Sequence, residues 1–150
     1  MTLNKATPSP MKNTSGATAK RLELTQPRIW FTAAVDNKMR QLRGRTGITP
    51  NVLARFGFCL SLEEQGEPAE PFASEKPTRE INRATLLGDH EAVYAALLRT
   101  WLERNQRADS CTPEEFNRLF VAHMNRGFEL LSARMRGLSD LLNLVGRARS

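Results

Sequence analysis

Cysteine and histidine are both scarce, with two of each in 150 residues. Cys59 and Cys111 stand far apart, and neither opens a CxxC or CxxH spacing, so no disulfide framework is expected. His90 and His123 add no familiar zinc-ligand spacing to them. No metal and no cofactor are expected. Cys59 lies among apolar residues, where a small buried hydrophobe is its expected role. No apolar run approaches the roughly 18 residues of a membrane span, and the N-terminus has no apolar signal-like core. These two absences point away from membranes and toward the cytoplasm. Catalytic motifs are missing as well. There is no phosphate loop ending in GK[ST] and no Gly-x-Ser-x-Gly elbow. Asp89, His90 and Glu91 are three titratable groups in a row, but adjacent residues on a helix point apart. Glu114 and Glu115 are accounted for by helix capping and the helix dipole. No enzyme is expected.

What is present is charge of one sign, unevenly spread. The net charge is +6. Residues 1–60 carry ten Lys or Arg against Glu23 and Asp36, a balance of +8. Residues 61–98 balance at −5 and residues 99–150 at +3. A basic excess confined to one stretch is the footprint of a phosphate-binding face. Hydrophobic residues make up 40%, somewhat low for a globular chain, which suggests one domain with a polar appendage. Residues 1–26 fit that appendage. They are rich in Thr, Ser, Pro, Asn and Lys and read as a disordered basic tail. Arg21 to Thr25 does alternate, but Pro27 interrupts the run.

Residues 27–64 organise the rest. Arg28-Ile29-Trp30-Phe31-Thr32 alternates as a half-buried strand does. A helical pattern follows over residues 34–46, with Val35, Met39 and Leu42 on one face, and Gly47 stops it. Thr49 is placed to cap a second helix through its hydroxyl, with Pro50 at the first helical position. That helix, residues 50–64, has Leu53, Phe56 and Leu60 as its apolar face. The order predicts a mainly α protein built on a ribbon-helix-helix-like unit, followed by additional C-terminal helices. One strand is not stable alone, so it is expected to pair with the strand of a second copy and form a ribbon for the DNA major groove. The expected DNA-binding residues are Arg28, Trp30 and Thr32 on the ribbon, Lys38, Arg40, Arg43 and Arg45 on the first helix, and Thr49 and Asn51 at the start of the second. A helix N-terminus attracts phosphate through its free N–H groups and dipole.

Residues 65–78 read as an acidic linker with Pro68, Pro71 and Pro77. Residues 79–150 read as the helical remainder of the same domain. Arg79 to Gly88 looks like a short helix or turn. Residues 89–107 are amphipathic, with Val93, Leu97, Leu98, Trp101 and Leu102 on one side. Thr112-Pro113-Glu114-Glu115 is a capping box that opens another helix. Phe116, Leu119, Phe120, His123, Met124, Phe128, Leu131 and Met135 stripe that helix. His123 on the stripe reads as a core residue rather than a ligand. Arg126, Arg134 and Arg136 read as its exposed polar face. The apolar stripes exceed what one subunit of this length covers easily, which hints at packing between subunits.

Two blocks carry a resemblance. Leu42-Arg43-Gly44-Arg45-Thr46-Gly47-Ile48-Thr49-Pro50-Asn51 with Arg55-Phe56-Gly57-Phe58-Cys59-Leu60-Ser61-Leu62, and then Arg79 to Gly88, resemble the DndE family of DNA sulfur modification proteins over roughly residues 28–110. The resemblance implies a DNA-binding component of a phosphorothioation system, acting on double-stranded and nicked DNA. It also implies a homotetramer built as a dimer of dimers, and partners among the sulfur-transfer proteins of that system. Two other functions fit the same residues. One is a ribbon-helix-helix transcriptional repressor, for which Arg28, Trp30 and Thr32 offer few base-reading groups. The other is a scaffold that docks the sulfur-transfer enzymes.

Overall fold

A computed structural model of the chain describes residues 21–149. In order its elements are β1 (Arg28–Thr32), α1 (Ala33–Thr46), α2 (Pro50–Glu63), β2 (Pro77–Asn82), α3 (Arg83–Leu87), a 3-10 turn (Gly88–His90), α4 (Glu91–Arg104), α5 (Pro113–Arg134) and α6 (Leu138–Arg149). Local chemistry sets most of the boundaries. The Thr32 hydroxyl accepts a hydrogen bond from the Val35 amide at 3.1 Å and starts α1. Gly47 ends α1 at φ 76°, a left-handed conformation that an L side chain resists. Asn82 caps α3 by accepting from the Ala84 amide at 2.8 Å. The expected capping box is present on α5, with Thr112 and Glu115 bonded reciprocally and Pro113 at the first position.

The fold wraps around α5. Five consecutive residues of that helix, Val121 to Asn125, are all buried, so it is covered on every side in that turn. Phe120 stacks on Phe58 of α2 at 5.0 Å between ring centroids. Phe128 meets Phe31 of β1 edge-on at 5.6 Å. The most extensive contact in the fold is between α2 and α5, and it is centred on two glycines. A Cβ built on Gly57 would lie 2.8 Å from the carbonyl carbon of Gly127. The two backbones touch there with no side chain between them.

The ribbon expected between two copies is not what the strand forms. β1 pairs antiparallel with β2 of the same chain, with Arg28 opposite Asn82, Ile29 opposite Ile81 and Trp30 opposite Glu80. The architecture is a β-hairpin joined to helices, so the 79–82 part of the block read as helix or turn is a strand. Its alternation is hard to see in the sequence because an inward position is occupied by Arg79. That guanidinium is held by Asp36 at 3.1 Å, and Asp36 is itself nearly inaccessible. The second edge of β1 is occupied too. Asn125 on α5 accepts from the Thr32 amide at 3.2 Å and donates to the Trp30 carbonyl at 3.1 Å. At these residues β1 has no free edge on which a second copy's strand could add.

Eight residues earlier on α5, Asn117 repeats the device. It accepts from the Thr25 amide at 2.9 Å and donates to the Glu23 carbonyl at 3.0 Å. Of the tail read over residues 1–26, residues 1–20 lie outside the described residues. Residues 21–26 form no helix or strand, but Glu23 and Thr25 are held against α5 by Asn117, and Leu24 is buried. An asparagine amide is one of the few side chains that can serve a strand's N–H and C=O together. Replacing Asn125 by Leu would strand both groups at about 1–3 kcal/mol each. We expect a fall in thermal midpoint of several degrees, and an unchanged midpoint would show that water replaces the amide.

The segment over residues 65–78 leads from α2 into β2, so its last two residues belong to the strand. Cys59 is exposed, contrary to the expected burial, whereas Cys111 is buried. Among the described residues no helix is long and apolar enough to cross a membrane.

Candidate nucleic-acid interface

α1 presents two unlike sides. Val35, Met39 and Leu42 face the core. Arg40, Gln41, Arg43, Gly44 and Arg45 are exposed, and Lys38 is half-buried. Arg43 and Arg45 sit in the last turn, where the helix dipole favours cations. Gly47 then reverses the chain, and α2 begins three residues later. The basic end of α1 and the N-terminus of α2 are therefore neighbours. Thr49 holds the N-cap position of α2 in extended geometry, but its hydroxyl makes no capping bond. The amides of that first turn are left without a side-chain partner, and their dipole adds to the charge of Arg43 and Arg45.

The nine candidate residues divide by what they already hold. Arg28 pairs with Glu80 at 3.3 Å, and Arg40 with Asp36 at 2.8 Å. Both cations are partly neutralised, although both remain largely exposed. Lys38, Arg43 and Arg45 form no ion pair among the described residues. Asn51 is half-buried and donates to the Thr85 carbonyl at 3.4 Å, so its amide faces α3. Thr32 is 3% exposed and committed to α1. A register irregularity between Phe31 and Thr32 takes it out of the alternation. Arg28 and Trp30 alone remain of the expected outward ribbon set, and Trp30 is 39% exposed.

Three arginines elsewhere are structural. Arg55 donates to the Leu86 carbonyl at 2.7 Å and closes the C-terminal end of α3. Arg134 pairs with Glu64 at 3.1 Å. Arg126, read from sequence as an exposed polar residue, is a strut. It donates to the Ser61 hydroxyl at 2.8 Å, the Ser61 carbonyl at 2.7 Å and the Gly66 carbonyl at 3.0 Å. With Arg126 donating, the Ser61 hydroxyl is free to donate to Nδ1 of His123, 2.8 Å away. His123 is fully buried, and its Nε2 has no hydrogen-bond partner. Trp101 packs against its ring with centroids 4.8 Å apart. Burial, with Arg126 adding repulsion, pushes His123 down to about 3. This serine–histidine pair is neutral and sealed in the core, as expected for a structural histidine. Among the described residues no group of three or more His, Cys, Asp or Glu could hold a metal ion.

The arrangement offers fixed positive charge and helix amides to an extended anion. Among the described residues it gathers no acid, base and nucleophile around a cleft. The sequence matches the family model of DndE, the DNA sulphur modification protein, over residues 28–137. The fold is similar to the crystal structure of DndE from Escherichia coli B7A, involved in DNA phosphorothioation modification. The identity is 22% and the TM-score 0.57, covering 73% of this chain and 99% of that one. A DndE mutant with glycines changed to lysine, involved in DNA phosphorothioation, matches at 18% identity and a TM-score of 0.53, with the same coverage. No curated protein matches the sequence. α6 lies beyond the stretch matched by the family.

Proposed function

Because the chain belongs to the DndE family of DNA sulphur modification proteins, we propose that it is the DNA-binding component of a phosphorothioate modification system. It is a non-catalytic cytoplasmic component that binds double-stranded DNA, nicked duplexes included, and meets the sulfur-transfer proteins of the same system on that DNA. The observation that carries this reading is the outer side of α1. Lys38, Arg43 and Arg45 have no ion pairs among the described residues, and Arg43 and Arg45 adjoin an uncapped helix N-terminus. Arg28, Trp30, Arg40 and Thr49 border this patch in sequence, and Asn51 and Thr32 support it from within. The protein assembles as a homotetramer. Since β1 is paired within the chain, exposed apolar side chains such as Phe56, Val93 and Leu97 would join the copies, in place of a shared ribbon. A repressor reading loses ground, because Thr32 is buried and base-edge contacts would fall to two ribbon residues.

Fluorescence anisotropy with one oligonucleotide in intact, nicked and single-stranded form tests the reading. Three phosphate contacts per protomer give a slope of roughly −3 in log affinity against log salt. A flat salt response between about 50 and 200 mM would remove the phosphate-contact model. Preference for the single strand over both duplex forms would remove the duplex reading.

A further inference from the structure

Trp30 is out of place on a polar face. Its neighbours on the outward side of the hairpin are Arg28, and across the strand Glu80 and Asn82. All of these are exposed. A surface for packing against another protein would surround the indole with further apolar side chains, and this one does not. The backbone that carries the indole is held on both edges. β2 pairs with β1 on one edge, and on the other Asn125 binds the Trp30 carbonyl. The side chain therefore stands on a backbone fixed from both sides. Arg28, 62% exposed, lies two residues along the same face.

We propose that Trp30 is a stacking platform for a single unpaired nucleobase, with the Arg28 guanidinium beside it for the adjoining phosphate. A flat aromatic face exposed among charges suits a base, because every base offers a π-face and is linked to an anion. A base inside an intact duplex is already stacked and leaves the indole nothing to cover. Trp30 would thus distinguish an interrupted duplex from a continuous one. This rests on the DNA-binding reading above, and the phosphate contacts of α1 would be made to both forms alike.

The test uses the full chain with two probes, an intact duplex oligonucleotide and the same duplex carrying a one-nucleotide gap opposite an unpaired base. Trp30→Ala should weaken binding to the gapped duplex roughly tenfold more than it weakens binding to the intact duplex, the range found for removing a base-stacking aromatic. Trp30→Phe keeps an aromatic face and should stay within about twofold of the parent on both probes. The chain's two tryptophans, Trp30 and Trp101, provide an internal check. The gapped probe should quench Trp30, while Trp101, 2% exposed, remains as a reporter of folding in the Trp30→Ala variant. Equal weakening on both probes makes Trp30 a general duplex contact and overturns the proposal. So does no change on either probe, or a Phe variant as weak as the Ala variant. If the parent protein binds the two probes equally, stacking fails and the duplex reading survives. If it binds neither, the functional reading itself has failed.

Discussion

Reversing Lys38, Arg43 and Arg45 together to glutamate is expected to abolish duplex binding, with an affinity loss on the order of a thousandfold or more. Each change removes a charge-assisted contact and adds repulsion against a phosphate. These three are the cations of α1 that carry no ion pair among the described residues. Arg40 is a weaker choice because reversing it would set a carboxylate against Asp36, 2.8 Å from the present guanidinium. The loss should be uniform across sequences, since phosphate contacts position a protein without specifying bases. The fold should survive, because none of the three side chains has an ion pair or hydrogen bond among the described residues, and the exposed charges of Arg43 and Arg45 contribute little to stability. Circular dichroism checks that before binding is compared. The control is Arg104→Glu with Arg136→Glu, two exposed cations, one at the end of α4 and the other in the turn between α5 and α6. Arg126 cannot serve as a control, because its guanidinium holds Ser61 and the Gly66 carbonyl. Its reversal would measure folding instead of DNA contact. If the control pair loses DNA and the α1 triple keeps it, the interface lies elsewhere.

Gly127→Ala is expected to be the most destabilising single change of a small residue. Its new Cβ would fall inside van der Waals contact of the Gly57 backbone. Alanine improves helix propensity by about 1 kcal/mol, and that gain opposes the clash. Overpacking usually costs about 1–3 kcal/mol, and occasionally more. Here the obstacle is backbone, which has no rotamer to escape into, so α2 and α5 must separate. The aromatic contact of Phe58 with Phe120 would loosen with them. We expect a net loss of about 3 kcal/mol, or a fall of roughly 10 °C in thermal midpoint for a chain of this size. Gly57→Ala should behave similarly, and the double variant should depart from additivity because both methyls enter one gap. A Gly127→Ala protein as stable as its parent would mean that the helices do not cross at backbone contact.

The sequence by itself determined whatever rests on neighbours along the chain. The capping box at Thr112, the left-handed stop at Gly47 and the proline starts at Pro50 and Pro113 act within one turn. The helices therefore appear where the local pattern puts them. The buried stripes of α1 and α5 were legible for the same reason, since burial on one face imposes a 3.6-residue period. So was the uneven charge, which needs only counting. The two family blocks were readable as residues in order.

Tertiary structure decided the rest. β1 required a partner, and its sequence could not tell a second copy from a segment about fifty residues onward. The deciding partner, β2, hides its alternation because the inward Arg79 is neutralised by Asp36, a residue 43 positions away. Asn117 and Asn125 look like polar interruptions of an apolar stripe, and their purpose appears only when the backbone of residues 23–25 and the edge of β1 lie against them. Arg126 and Cys59 were misplaced for a related reason. Periodicity says that a face is polar or apolar, but not what stands opposite it. Arg126 faces the carbonyls of Ser61 and Gly66, whereas Cys59 is left exposed. The glycine crossing left no sequence signal at all, because close approach of two backbones depends on side chains that are absent from both helices.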